Sequence, residues 1–497
     1  MEQTIKDFRD YLQSIHHLKG ALRLMSFDAN TGAPKGGVKS RSARMGYIYG
    51  EMFGMQTSAK MEEFINKLSG ASSLDKETAA MLRISKKTFE SNKKIPQDMM
   101  RQFMELRTQS HVVWEGAKKD NDFDVFAPYL QKIIKMQREM LALRGTGSSP
   151  YNILLDDYEE GLTMDDCDVF FTKLKGAIVP LLKKISDSGV SIDTTMRNMA
   201  VPIKNQRQIS EFIAKKVGYD LERGMIKESE HPFCNGTDQD DVRITTHYYE
   251  KDFLASFYAV LHECGHAIYE QNISKSVAST ILDTGISMGI HESQSRFYEN
   301  VLGRSLEFWE HVTDELKTYL PSEFGKYSAQ DFYRAVNVAG PSFIRIEADE
   351  LTYSLHIMIR YEMERLIFNE DVDITKLPQI WNEKTEQYLG ITPPNNSKGI
   401  LQDVHWSEGL MGYFPSYSLG SALSSQYMHY MQKEMDVNAL VRKGDFATIT
   451  SWLQKNVHTH GSIYTPKELV KQALGEDLNP DYYVNYLTEK FTKVYGL

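Results

Sequence analysis

Residues 261–272 read LHECGHAIYEQN, with His262 and His266 four positions apart and Glu263 beside the first histidine. Four residues is slightly more than one helical turn, so on a helix the two imidazoles stand about 40° apart and both can reach one ion. Neutral imidazole suits Zn²⁺, while Glu263, one position round, can point at a metal-bound water instead of the metal. Gly265 inside the motif costs roughly 1 kcal/mol relative to Ala in a helix. Such a local violation is expected where close approach matters more than propensity.

A catalytic zinc takes three protein ligands and keeps a position open for water or substrate. The metzincin extension requires Gly and His where Tyr269 and Asn272 stand, which excludes that class. An acidic ligand from a later helix is therefore expected. Glu292, in SMGIHESQSRFYEN and 26 residues beyond His266, is the first choice, with Glu299 and Asp283 as alternatives. Glu228-Ser-Glu-His231 repeats the ExxH pattern of di-iron bundles, but Pro232 and strand-like sequence follow it, so it cannot be a helix-interior ligand pair. His458-Thr-His460 lies at the end of an apparent helix and before Gly461, and is read as structural.

The elements that must hold these residues are mostly helical. Phe253, Phe257, Val260, Leu261, Cys264, Ala267 and Ile268 keep a 3.6-residue period through the motif, which places it inside a helix packed on one side. Phe8, Tyr11, Ile15, Leu18, Leu22 and Met25 do the same near the N-terminus. Pro96 opens a helix predicted to run to about Lys119, residues 124–144 form another ending at Gly145, and Thr163 with Asp166 resembles a capping box. Pro180 is expected to kink or break the helix that follows. Strand signals gather in residues 225–250, where RITTHYY follows an Asn235-Gly236 turn signal and predicts a hairpin or small sheet just before the motif helix.

The 497 residues carry no Pro-, Ser- or Gly-rich linker and no repeat, so a single domain over 1–497 is expected. With 41% hydrophobic and 25% charged residues and no apolar run near the ~20 needed to span a bilayer, the chain reads as a soluble protein without a membrane role. A net charge of −10 leaves no basic stripe for nucleic acid. Three scattered cysteines and an N-terminus without a secretory pattern point to the cytoplasm.

Further segments resemble the carboxypeptidase Taq family of metallocarboxypeptidases. They run from DANTGAPKGG (28–37) through YNILLDDYEEG (151–161), HPF (231–233), DVRIT (241–245), HECGH (262–266), HESQS (291–295), IRIEAD (344–349) and GILQDVHW (399–406) to GYFPSYSLG (412–420). Phe27 stands where the family often has Trp, and Glu160 where YEPG is usual. The resemblance implies a mainly α, single-domain helical zincin fold with a long substrate groove, a small β-sheet near the metal, and a homodimer. It implies removal of single residues from peptide C-termini, with His262, His266 and Glu292 as metal ligands and Glu263 as catalytic glutamate. Its recognition segments draw attention to His231, Arg243, Arg345, Asp403 and His405.

The expected reaction uses one divalent ion, zinc by preference with cobalt or manganese as alternatives, to lower the pKa of a bound water. Glu263 takes the water's proton and returns it to the leaving amine. His405 with Tyr413 or Tyr417 supplies donors for the tetrahedral oxyanion. Arg345 and Arg243 are the candidates for the substrate's terminal carboxylate, because a guanidinium fork matches it; a salt bridge from Arg345 to Asp349 is the structural alternative. Competing readings are an oligoendopeptidase or dipeptidyl carboxypeptidase, and a helical binding protein with a vestigial metal site.

Overall fold

The computed structural model describes residues 1–145, 147–370 and 372–497; helices dominate it, and the strands among these residues form one three-stranded sheet. No helix among the described residues is long and apolar enough to cross a membrane. The chain packs as two compact units. One comprises Met1–Ser91, Ile192–Val336 and Leu423–Leu478; the other comprises Asn92–Ser191, Asn337–Ala422 and Asn479–Leu497.

In the first unit the N-terminal helix, Glu2–Thr31, buries Phe8, Leu12 and Ile15 against Phe64 and Leu68 of Ala59–Ser69 and Met81 and Phe89 of Lys76–Asn92. Of the predicted apolar stripe, Phe8 and Ile15 are core, Tyr11 packs against it, and Leu18, Leu22 and Met25 are only half-buried. Strands β1 (Ile226–Glu228), β2 (Cys234–Asp238) and β3 (Asp241–Thr246) follow, with β3 central, parallel to β1 and antiparallel to β2.

The hairpin exists, but Asn235-Gly236 is not its turn. Both residues lie within β2, Asn235 opposite Arg243 and Gly236 opposite Val242, and the chain reverses at Gln239-Asp240. Glycine at 236 serves close packing in the strand, since a Cβ there would lie 3.0 Å from Glu270 Oε2. Asn235 is there because its Nδ2 donates to the Arg23 carbonyl at 2.8 Å. RITTHYY is strand only to Thr246.

The second unit contains the helices Gln97–Asp120 and Phe123–Arg144, the latter capped by Asp122 and ended by Gly145 in the left-handed conformation at φ 60°. Thr163 and Asp166 form the expected capping box at the start of Met164–Asp187. That helix continues through Pro180. Ile178, Leu181, Leu182 and Ile185 keep its buried stripe unbroken, so tertiary burial offsets the hydrogen bond that proline removes. The helix Tyr353–Asn369 is buried almost all round and carries Arg360 and Glu364.

Candidate active site

The motif helix, Phe253–Gln271, starts where Asp252 accepts a hydrogen bond from the Ala255 amide, and it is buried over most of its length. The Gly265 requirement is steric. A Cβ there would lie 2.4 Å from the Gln294 carbonyl oxygen and 2.6 Å from Ser295 Cα. Glycine thus lets the helix Met288–Arg296, capped by Ser287, cross against the motif and bring Glu292 to the two histidines.

One oxygen, Glu292 Oε2, stands 3.6 Å from His262 Nε2 and 3.5 Å from His266 Nε2. Atoms bonded to one ion at ~2.0–2.1 Å in a tetrahedron are roughly 3.4 Å apart, so two imidazoles and a carboxylate present a fitting donor set. The opposite ring nitrogens are already engaged. Glu299 Oε2 accepts from His262 Nδ1 at 2.8 Å. His266 Nδ1 lies 2.5 Å from His291 Nδ1, and His291 Nε2 donates to Glu270 Oε1 at 2.8 Å. Each Nδ1 partner leaves an Nε2 lone pair free to coordinate. Arg296 Nε donates to Glu292 Oε1 at 2.7 Å and Nη1 to Glu299 Oε2 at 3.0 Å, holding both carboxylates in place. Glu299 falls in a π-helical stretch, Phe297–Leu302. Such widened turns re-aim side chains and recur at functional sites.

Glu263 is only 6 % exposed, and burial pushes its carboxyl up to about 7, with His262 opposing and Glu292 reinforcing the shift. A cation held nearby acts in the opposite direction. Of the alternatives to Glu292, Glu299 orients His262, and Asp283 lines a separate cavity beside the N-terminal helix. His458 is buried and its Nε2 meets Gln294 Oε1 at 2.9 Å, consistent with a structural role. The sequence reading missed Glu270 and His291 as orienting groups. Their signal was present: Glu270 sits one turn beyond His266, and His291 adjoins Glu292.

Elsewhere in this unit, Arg243 on β3 gives its paired donors to Asp241 at 2.6 and 2.7 Å and lies over the Phe27 ring. His231 is exposed on the bend before β2.

The second unit gathers Arg345, Asp403, His405 and Tyr417. Arg345 is 7 % exposed; its Nε donates to Asp403 Oδ1 at 2.9 Å and its Nη1 to Tyr353 Oη at 3.0 Å. Arg360 Nε donates to Asp403 Oδ2 at 2.7 Å. Two guanidinium groups therefore share one carboxylate and leave a net positive charge. The alternative partner, Asp349, instead accepts from the Gly340, Leu351 and Thr352 amides. His405 Nε2 is 3.2 Å from Tyr417 Oη, and Tyr413 packs edge-on to Tyr417 at 5.1 Å. Burial lowers His405 to about 4, against the pull of Asp403 and with help from the two arginines, so its ring is neutral.

Residues 7–491 match the family model for carboxypeptidase Taq (M32) metallopeptidases. Carboxypeptidase 1 of Bacillus subtilis (strain 168) is 42% identical over 494 residues, covering 99% of this chain and 99% of that one. Thermostable carboxypeptidase 1 of Pyrococcus furiosus is 35% identical over 492 residues, 98% of each chain. The crystal structure of the M32 carboxypeptidase from Deinococcus radiodurans R1 superposes with a TM-score of 0.96 at 32% identity and covers 100% of both chains.

Proposed function

The chain belongs to the carboxypeptidase Taq (M32) family of metallopeptidases, and from that premise we propose that it releases single amino acids from peptides bearing a free C-terminus. The observation that carries this reading is the convergence of His262 Nε2, His266 Nε2 and a Glu292 oxygen, all within 4.8 Å of one another. These residues would hold one divalent ion, best suited to zinc, with cobalt and manganese also compatible with the donors. When bound, the ion acts as a Lewis acid that lowers the pKa of water and polarises a carbonyl.

The chain's own groups do the rest. Glu263 accepts the attacking water's proton on its carboxylate and passes it to the leaving nitrogen. Neutral His405, with Tyr417 or Tyr413, donates to the oxyanion as it develops. Arg345 takes the substrate's terminal carboxylate through donors not used by Asp403 and Tyr353. Arg243 is the second candidate. Asp403 acts by holding Arg345 and Arg360, and His231 contributes to peptide binding from its exposed bend.

Because each compact unit is assembled from three separated stretches, we treat residues 1–497 as one functional domain. Three free cysteines support a cytoplasmic location, and the family resemblance supports a homodimer. Family membership favours this reading over an oligoendopeptidase or dipeptidyl carboxypeptidase, and the complete donor set favours it over a vestigial site. Elemental analysis with chelation tests it. One ion per chain, loss of turnover on chelation and recovery with zinc are expected; undiminished turnover in a chelated, metal-free protein would refute it.

A further inference from the structure

Within the first unit, the N-terminal helix, the helix Lys76–Asn92 and the segment around Asp283 enclose a cavity of about 170 Å³, on the order of the ~150 Å³ engineered cavity that takes up benzene. Leu12, Ile84 and Ile281 contribute aliphatic wall, and Lys19, Ser85 and Asp283 contribute polar groups. The cavity therefore differs from a dry packing defect, and its size admits one amino-acid-sized molecule.

Two of these polar groups are buried without a partner. Ser85 and Asp283 are 5 % and 3 % exposed, and neither Ser85 Oγ nor Asp283 Oδ1 has a hydrogen-bond partner in the protein. Asp283 Oδ2 accepts from the Ser279 amide at 3.2 Å, so half of that carboxylate is used and half is not. Lys19 makes no hydrogen bond or ion pair among the described residues. It is exposed to solvent. Arg23 is committed elsewhere, donating to the Gly236 carbonyl at 2.6 Å. Buried polar groups normally find partners, so the unpaired Ser85 Oγ and Asp283 Oδ1 call for a polar ligand, and the exposed, unpaired Lys19 on the same cavity offers a cation for a ligand's anionic group.

We propose that this cavity binds a free aliphatic α-amino acid. Its carboxylate pairs with Lys19 and the Ser85 hydroxyl, its ammonium group with Asp283, and its side chain packs on Leu12, Ile84 and Ile281. The inference stands on the cavity alone; where the peptidase reading also holds, a released product belongs to the right ligand class.

Isothermal titration of the metal-loaded, full-length protein with L-leucine tests it, using leucinol and 4-methylpentanoate as probes lacking one charge each. One saturable site per chain is expected. Either analogue, and the Lys19→Met variant with L-leucine, should bind about tenfold or more weakly, because each loses a charge-assisted contact. The signal should persist after the metal is chelated. No saturable binding, leucinol binding as well as L-leucine, or a signal that vanishes on chelation but survives Lys19→Met would overturn the proposal. The analogue comparison uses unaltered protein, so it decides the matter even if Lys19→Met fails to fold.

Discussion

Glu299 accepts a hydrogen bond from Nδ1 of His262 at 2.8 Å, which fixes the ring with Nε2 facing Glu292. On the proposed reading, Glu299 orients the metal ligand His262 and is not itself a ligand. Replacing it with Gln should weaken metal binding by about 10–100-fold, the usual effect of losing a partner that holds a ligand. Glu292→Ala, which removes a donor, should weaken it further. Competition titration against a metal-binding dye checks the order, and weaker binding in Glu299→Gln than in Glu292→Ala would exchange the two roles.

Glu263 adjoins His262 in the chain and is not among the three clustered residues proposed to hold the ion. Glu263→Gln should therefore retain the ion while turnover falls by at least ~10²–10⁴-fold, because the carboxamide cannot accept a proton. Elemental analysis paired with a peptide assay separates these effects. A metal-replete Gln variant with unaltered turnover would remove Glu263 from the mechanism.

The motif helix and its two histidines were legible because a 3.6-residue apolar period and a four-residue ligand spacing are both local properties. The capping box at Thr163 and the stop at Gly145 were legible for the same reason. Asn235-Gly236 misled because turn chemistry is also local, whereas the requirement at Gly236 comes from Glu270, far along the chain. The partner of Arg345 was hidden likewise: Asp349 is near in sequence, but Asp403 is near in space. Glu299 could be recognised as an acidic candidate, but its orienting role depends on a π-helical stretch that no sequence period announced.

Gly265→Ala sets two effects against each other. Alanine favours the helix by about 1 kcal/mol, but its Cβ would meet backbone atoms of Gln294 and Ser295 at 2.4–2.8 Å. Backbone cannot move aside as a side chain can, and overpacking costs about 1–3 kcal/mol. Net destabilisation with weakened metal binding is expected from urea unfolding and metal titration. A stabilised variant would contradict the close crossing.

Asp403 links stability to pH. Burial pushes its pKa up, but Arg345 and Arg360 outweigh burial and hold it well below the ordinary carboxylate range. A depressed folded-state pKa contributes stability above the unfolded value near 3.9 and loses it as pH falls below that value. Asp403→Asn should lose about 3–5 kcal/mol at pH 7, because it leaves two buried guanidinium groups without their carboxylate. The gap to wild type should narrow below about pH 4. Urea midpoints at pH 7 and pH 3 check the sign, and a gap that widens in acid would contradict it.

The most direct test of the central claim is mass spectrometry of a mixed peptide pool, each sequence present as free acid and as amide, sampled over time with the metal-loaded protein. The account predicts ladders that shorten by one C-terminal residue at a time from the free acids, with the amides left nearly intact and all products lost on chelation. Internal fragments, dipeptide release or equal cleavage of amides would contradict it.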